Sequence, residues 1–185
     1  RAARKDPQAT RAAWIKLRPL LPEADRLYGN GRLAFHAARQ HVPDANLWYR
    51  EAAGAPLSDE QHAWRVRAAL RAQDMGDVAA AIEAMPAALA QDPAWRYWRA
   101  RALAAQGRQD EANALLTVLA GEPHFYGVLA AEALGRRYTP PVSEPVTPSA
   151  EAVAAFAARP EVKRAVKLAE LDLRPESQRE WIYIV

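Results

Sequence analysis

Residues 93–135 are PAWRYWRARALAAQGRQDEANALLTVLAGEPHFYGVLAAEALG, and this stretch decides the fold class. It is rich in Ala and Leu, which favour helices, and poor in the β-branched residues that favour strands. Asp92 followed by Pro93 is typical of a helix start, because the Asp side chain caps free N–H groups and Pro fits the first turn. Gly107 and Gly135 are suited to end helices in the left-handed conformation. The stretch therefore predicts three consecutive helices of an α-solenoid.

The chain also matches itself at an offset of 34 residues. Segment 64–68 (WRVRA) aligns with segment 98–102 (WRARA), and the same offset places Ile82 on Leu116. A repeat near this length is typical of helix-turn-helix units, each of which must stack on its neighbours to bury its apolar face. Trp64 and Trp98 are accordingly predicted to pack at equivalent positions between helices. The alternative is an exposed ring that stacks on a sugar.

Composition agrees with an all-α protein, since 50% of the 185 residues are hydrophobic and Ala and Leu dominate them. We predict an α-solenoid, a superhelical stack of antiparallel helix pairs without a sheet, and within it one helix over 77–90. Residues 138–149 hold four prolines, which prevent helix formation and favour an extended connector. The predicted domains are a superhelical domain over 1–137, this proline-rich connector, and the start of a second helical domain over 150–185.

Charge and composition argue against several classes of protein. The net charge is +3, and the arginines are scattered along many predicted helices rather than clustered. A dispersed charge without a reading motif argues against a nucleic-acid partner. No apolar run is long enough to cross a bilayer, and no signal peptide is visible. The chain begins at Arg1 and ends in an apolar run, so both ends are expected to be cut from a longer protein.

The sequence contains few patterns that are typical of catalytic or metal-binding sites. The chain has no cysteine, which excludes thiol catalysis. Its histidines do not have the spacing of a metal site, so no metal is expected; they are His36, His41, His62 and His124. There is no Gly-rich phosphate loop and no nucleophile elbow. A Ser-His-Asp triad is not excluded by spacing, although the few serines lie in predicted caps or in the connector.

Three parts of the chain resemble a known family. Segments 57–70 and 92–103, with Phe125-Tyr126-Gly127 and the residues that follow, are similar to the U-shaped superhelical domain of the soluble lytic transglycosylases. The connector and the segment from Glu161 to Trp181 resemble the start of that family's linker domain. The order of these parts along the chain is also that of the family.

The resemblance implies a function for the parent protein. The family is periplasmic and uses one Glu to protonate the glycosidic oxygen between N-acetylmuramic acid and N-acetylglucosamine. The muramic acid 6-hydroxyl then attacks its own anomeric carbon and gives a 1,6-anhydro product, with no metal or organic cofactor. The implied partners are peptidoglycan glycan strands, the cell-wall machinery bound to the inner or outer membrane, and the chain's own missing catalytic domain.

The catalytic segments of that family are absent from this sequence, which has neither Gly-Leu-Met-Gln nor Ala-Tyr-Asn. The one Glu-Ser pair is Glu176-Ser177, whereas a general acid must stay protonated near neutral pH. Arg174 and Arg179 flank Glu176 and would stabilise its ionised form. We therefore predict no catalytic residue and no activity for this chain alone.

Two roles remain open for the scaffold. It is predicted to position or bind a glycan strand, with candidate contacts at Arg96, Arg99, Arg101 and Tyr126. The alternative is a tetratricopeptide-like module for protein–protein interaction, which the repeat length favours. An arginine-rich nucleic-acid-binding repeat is a further class, and the dispersed charge argues against it.

Overall fold

The computed structural model describes residues 2–139 and 147–184, and every regular element within these ranges is helical. The helices are α1 (Ala2–Lys5), α2 (Pro7–Leu17), a 3₁₀ turn (Arg18–Leu20), α3 (Glu23–Arg39), α4 (Ala45–Arg50), α5 (Asp59–Arg71), α6 (Met75–Glu83), α7 (Ala87–Ala90), α8 (Pro93–Ala105), α9 (Gln109–Leu119), α10 (Phe125–Ala133), α11 (Ala150–Ala158), α12 (Pro160–Glu170) and α13 (Arg174–Ile184). The all-α prediction is confirmed. No helix of the described residues is both long enough and apolar enough to cross a membrane.

The helices form two compact units, Arg1–Pro141 and Val142–Val185. The predicted boundaries of the superhelical domain, the connector and the second domain stay predictions. Residues 140–146 of the predicted connector lie outside the described residues.

One helix boundary differs from the prediction. The sequence pattern predicts a single helix over 77–90, whereas the structure has α6 ending at Glu83 and the short α7 beginning at Ala87. Pro86 separates them, because it has no N–H to donate and its ring clashes with the carbonyl group four residues before it. It serves instead as the residue that precedes α7.

The core of the first unit consists of three clusters along the stack. Cluster 1 lies between α3, α4 and α5 and includes Phe35, Trp48 and Tyr49. Cluster 2 lies between α5, α6 and α8, and cluster 3 lies between α8, α9 and α10. Each pair of helices therefore buries its apolar face only against its neighbours, as expected of a solenoid.

The predicted repeat corresponds to the packing. Helices α5 and α8 have the same length and are offset by 34 residues. Ala68 belongs to cluster 1 and its equivalent Ala102 to cluster 2, while Val66 belongs to cluster 2 and Ala100 to cluster 3. One face of each helix thus packs on the preceding cluster and another face on the following cluster.

Trp64 and Trp98 follow the same rule and are both half-buried. Trp64 packs against cluster 1, while Trp98 packs against clusters 2 and 3. They occupy equivalent positions, as predicted, but neither ring is fully enclosed.

Five helices end in the same way. The residue after the last turn has a positive φ, between 57° and 78°; these residues are His41, Gln73, Gly107, Gly135 and Asp172. The next amide donates to a carbonyl five residues back, as from Asp74 N to Ala69 O at 3.1 Å. This is the Schellman motif, which satisfies carbonyl groups that the helix leaves unpaired. Gly107 and Gly135 were predicted to end helices and do so.

The second unit contains α11, α12 and α13. Val162 and Ala165 of α12 are buried, and the Ser177 hydroxyl of α13 donates to the Ala165 carbonyl at 2.9 Å. Arg164 and Glu180 form an ion pair at 2.7 Å across the same two helices. These contacts hold α12 and α13 together as an antiparallel pair.

Candidate functional site

Arg96 lies on α8 and is engaged within the first unit. Its guanidinium is 2.7 Å from the Glu122 carboxylate, in the loop between α9 and α10. The Nε2 atom of His124 is 2.8 Å from the same carboxylate, and its Nδ1 accepts the Gly127 amide at 3.0 Å. Because Nδ1 accepts a hydrogen bond, the proton of the neutral ring is on Nε2 and is donated to Glu122. Arg96 therefore fixes this loop against α8.

The surroundings of Glu122 favour its ionised form. The hydrogen bond from His124 lowers the pKa of this carboxyl, partial burial acts in the opposite direction, and Arg96 lowers it further, so that the pKa lies below its ordinary value. The carboxylate is 31% exposed, which moderates these interactions.

Arg101 and Tyr126 meet through Tyr97. The Arg101 guanidinium donates to the Tyr97 hydroxyl at 3.0 Å, and the Tyr97 ring centroid lies 5.7 Å from that of Tyr126. Tyr97 is buried, whereas Tyr126 is half-buried and Arg101 is exposed. This cluster presents one cation and one aromatic edge on the surface of α8 and α10.

Arg99 lies apart from this cluster. It is exposed, and it is two residues from Arg101, which corresponds to about 200° around an α-helix. The structure thus brings Arg101 and Tyr126 to Tyr97 and pairs Arg96 with the Glu122 carboxylate, while Arg99 lies on the side of α8 that faces away from Arg101. The four candidate contacts do not form a single surface.

A groove between the α3–α4 loop and α5 was not predicted from the sequence. We call it the Trp64 groove; it has a volume of about 460 Å³, and its walls include His41, Val42, Pro43, Trp64, Arg67 and Arg71. The half-buried Trp64 ring forms part of one wall, and the His41 ring lies 6.3 Å from it between centroids. The rest of the lining is mainly small or apolar.

Arg67 and Arg71 are the two arginines that line the Trp64 groove. The Arg67 guanidinium lies over two indole rings, 5.3 Å from the centroid of Trp64 and 5.4 Å from that of Trp95. None of the ion pairs that the described residues form includes Arg67 or Arg71. None of the described residues that line the groove is acidic. Two arginines therefore line the groove without a carboxylate partner among the described residues.

The sequence carried a partial signal for this groove. Trp64, Arg67 and Arg71 have the spacing i, i+3, i+7, which places them on one face of a helix. The approach of the loop at His41–Pro43 has no local signal, because it depends on how α3 and α4 pack on α5.

The acidic residues of the described part of the chain do not form a metal-binding group. No group of three or more His, Cys, Asp or Glu side chains in residues 2–139 and 147–184 could hold a metal ion. Glu176 lies in the first turn of α13 and is exposed. A carboxyl group that acts as a general acid needs instead a pocket that disfavours its ionised form. Its neighbour Ser177 is buried and bonded to Ala165.

Comparison with known proteins identifies relatives by sequence. The soluble lytic murein transglycosylase of Salmonella typhimurium strain LT2 is 28% identical, with 71% of this chain and 22% of the relative covered. The protein of the same name from Escherichia coli K12 is 26% identical, with 79% and 24% covered. The chain thus spans about a quarter of the length of these curated relatives. No family model matches the chain.

Solved structures agree with the sequence comparison. An inactive mutant of a lytic transglycosylase from Pseudomonas aeruginosa has a TM-score of 0.78 and 26% identity, and the match covers 97% of this chain and 30% of that one. The 70-kDa soluble lytic transglycosylase from Escherichia coli has a TM-score of 0.73 and 25% identity, with 99% and 30% covered. The 70-kDa enzyme in complex with bulgecin A matches with a TM-score of 0.71 and 25% identity, over the same shares. The resemblance to the soluble lytic transglycosylases is therefore confirmed in both sequence and fold.

Proposed function

We propose that this chain is a non-catalytic helical scaffold of a lytic transglycosylase and that it positions or binds a peptidoglycan glycan strand. The observation that carries the proposal is the likeness to the Pseudomonas aeruginosa enzyme, which extends over 97% of this chain but only 30% of that enzyme. The chain therefore corresponds to less than a third of that enzyme.

The proposed reaction belongs to the parent protein. A catalytic Glu in a separate domain would protonate the glycosidic oxygen between N-acetylmuramic acid and N-acetylglucosamine, and the product would carry a 1,6-anhydro ring. The scaffold would hold the flexible strand near that domain, because a positioned substrate avoids much of the entropy cost of a bimolecular encounter. The proposed location is the periplasm, and the proposed partners are glycan strands, the catalytic domain and the membrane-bound wall machinery.

The candidate contacts enter this proposal with different roles. Arg101 and Tyr126 are proposed to contact the strand together, because the structure places both beside Tyr97. Arg99 is proposed as a separate exposed cation on another face of α8. Arg96 offers the strand only the part of its guanidinium that Glu122 leaves accessible.

The test uses purified peptidoglycan sacculi and the whole chain. We expect the chain to sediment with sacculi and to release no soluble 1,6-anhydro-muropeptides, as measured by mass spectrometry. The Glu176→Gln variant should give the same result. Products that appear with the wild type and disappear with Glu176→Gln would overturn the non-catalytic assignment. If the chain does not sediment with sacculi, the tetratricopeptide-like role for the same helical repeat is favoured.

A further inference from the structure

The Trp64 groove combines three features that the proposed function does not use. It has a half-buried indole, two guanidiniums without an ion-pair partner among the described residues, and no acidic residue among the described residues of its lining. We propose that this groove binds a carboxylate-bearing amino sugar, specifically an N-acetylmuramic acid unit through its lactyl carboxylate. The proposal rests on the proposed function and adds to it a place of contact and a sugar type.

The apolar wall supplies a stacking surface. Sugars present a face of C–H groups that packs on aromatic rings, and an indole is the largest such surface in proteins. Trp64 is half-buried against cluster 1, so its orientation is fixed before a ligand arrives. Val42 and Pro43 continue the apolar wall on the side of the loop.

The cations supply the charge selectivity. Arg67 is held over the rings of Trp64 and Trp95 rather than by a carboxylate, so its hydrogen-bond donors stay available. Arg71 lies one turn further along α5 and lines the same groove. Guanidinium groups bind carboxylates with paired, charge-assisted hydrogen bonds, which are stronger than neutral ones.

The size of the groove limits the ligand. A volume of about 460 Å³ is in the range of small-molecule sites and suits one or two sugar units. A nucleic acid strand would need a continuous basic track with several stacking rings. The groove has one half-buried indole beside two arginines, which matches one sugar with one carboxylate better than a polymer of phosphates.

The equivalent positions of the next repeat, on α8, do not provide the same pair of available guanidiniums. Trp98 and Arg101 are the equivalents of Trp64 and Arg67, but Arg101 donates to the Tyr97 hydroxyl. The equivalent of Arg71 is Ala105, so the second cation is missing there. The pair of available guanidiniums is therefore particular to α5 rather than a general property of the repeat.

The direct test is titration of the whole chain with two disaccharides, followed by calorimetry or ligand-observed NMR. The first is N-acetylglucosaminyl-N-acetylmuramic acid, and the second is N,N′-diacetylchitobiose, which has no carboxylate. We expect the first to bind more tightly, and the double variant Arg67→Gln, Arg71→Gln to weaken its binding by roughly tenfold. The matched control is Arg136→Gln, Arg137→Gln, which removes the same charge from exposed positions of the first unit and should leave the affinity unchanged.

Equal affinities for the two disaccharides, or equal affinities of the wild type and the Arg67, Arg71 variant, would overturn the proposal. A Trp64→Phe variant tests the ring while keeping an aromatic packing partner, and it should weaken both disaccharides. A glutamate-rich peptide that competes as well as the muramic acid disaccharide would show an acidic-peptide site instead, and it would also overturn the sugar assignment.

The sacculus assay separates this proposal from the proposed function. If the wild type binds sacculi but the disaccharide titration shows no groove binding, the scaffold role stands and the groove proposal fails. If the groove binds the disaccharide but the chain does not sediment with sacculi, the groove proposal stands and the scaffold role fails.

Discussion

Glu122 connects three parts of the first unit through its side chain and its backbone. Its carboxylate pairs with Arg96 of α8 and with His124, and its backbone carbonyl lies so close to Gly127 of α10 that no side chain fits between them. Glycine at position 127 permits this close approach, and the His124 side chain caps the Gly127 amide at the start of α10. At this site charge pairing and backbone packing stabilise the same turn.

The pH dependence of stability tests the role of the carboxylate. Because the pKa of Glu122 is lowered in the folded chain, its contribution is fully present above the ordinary Glu pKa and is lost as pH falls through the lowered value. We expect Glu122→Gln to reduce the free energy of unfolding by about 1 kcal/mol at neutral pH, since the partly exposed pair is screened by water. The difference from the wild type should shrink in acid, below the lowered pKa.

Urea unfolding followed by circular dichroism at several pH values measures this difference. Glu132→Gln is the matched control, because Glu132 is exposed on α10 and forms no ion pair among the described residues. A loss for Glu122→Gln that is the same at neutral and acid pH would show that the carboxylate charge is not responsible.

The close approach at Gly127 gives a second prediction. A Cβ atom there would collide with the Glu122 carbonyl oxygen and meet the Leu119 carbonyl at 3.0 Å. We expect Gly127→Ala to destabilise the chain by about 1–3 kcal/mol, as overpacking usually does. Gly121→Ala is the control, since its Cβ would meet only the Val118 carbonyl at 3.5 Å, which is an ordinary contact. Equal thermal stabilities of the two variants would contradict this explanation.

At the scale of the helix, the common end motif governs how the repeats connect. Each helix that ends in a left-handed residue turns the chain toward its next partner, and the residue type there varies from glycine to histidine, glutamine and aspartate. Glycine adopts this conformation without the steric cost that a side chain adds. The motif at Gln73 and the motif at Gly107 are equivalent positions 34 residues apart.

Exchanging these residue types should have opposite effects. We expect Gln73→Gly to stabilise the chain by up to about 1 kcal/mol and Gly107→Ala to destabilise it by about 1 kcal/mol, because the backbone angle at both sites is positive. Thermal unfolding of both variants beside the wild type measures the two shifts. Shifts of the same sign would contradict a shared end motif.

Much of the helical structure could be predicted from the sequence. The Ala and Leu content and the cap at Asp92 predicted helix type and the start of α8, and the structure shows the Asp92 side chain accepting the Ala94 amide at 2.8 Å. The left-handed conformations at His41 and Gln73 were not predicted, because neither residue is a glycine and the pattern alone does not mark them. The prediction of one continuous helix over 77–90 was wrong, because Pro86 lacks the N–H that a helix interior requires.

The candidate site was less predictable. Arg96 is predicted to contact a ligand, and its pairing with Glu122, which lies 26 residues further along the chain, had no signal in the sequence. Trp64 was expected to be core, yet its ring also forms a wall of the groove. Both outcomes depend on which loop packs beside α5 or α8, and the residues of each helix do not specify that alone.

At the scale of the whole molecule, the first unit is a stack of three successive clusters, and residues of α5 and α8 contribute to two clusters each. Such a stack can present ligand-binding features on several successive repeats without a single enclosed pocket. The Trp64 groove on α5 and the Arg101–Tyr126 surface on α8 and α10 are the two proposed features of this kind.

Strand binding without cleavage is measured most directly by co-sedimentation of the purified chain with peptidoglycan sacculi. The measurement is made at about 0.05 M and about 0.5 M salt, because screening shortens the range of charge attraction between these limits. We predict saturable binding that weakens at the higher salt, is unchanged in Glu176→Gln, and releases no 1,6-anhydro-muropeptide. A chain that does not sediment with sacculi even at the lower salt would contradict the proposed scaffold role.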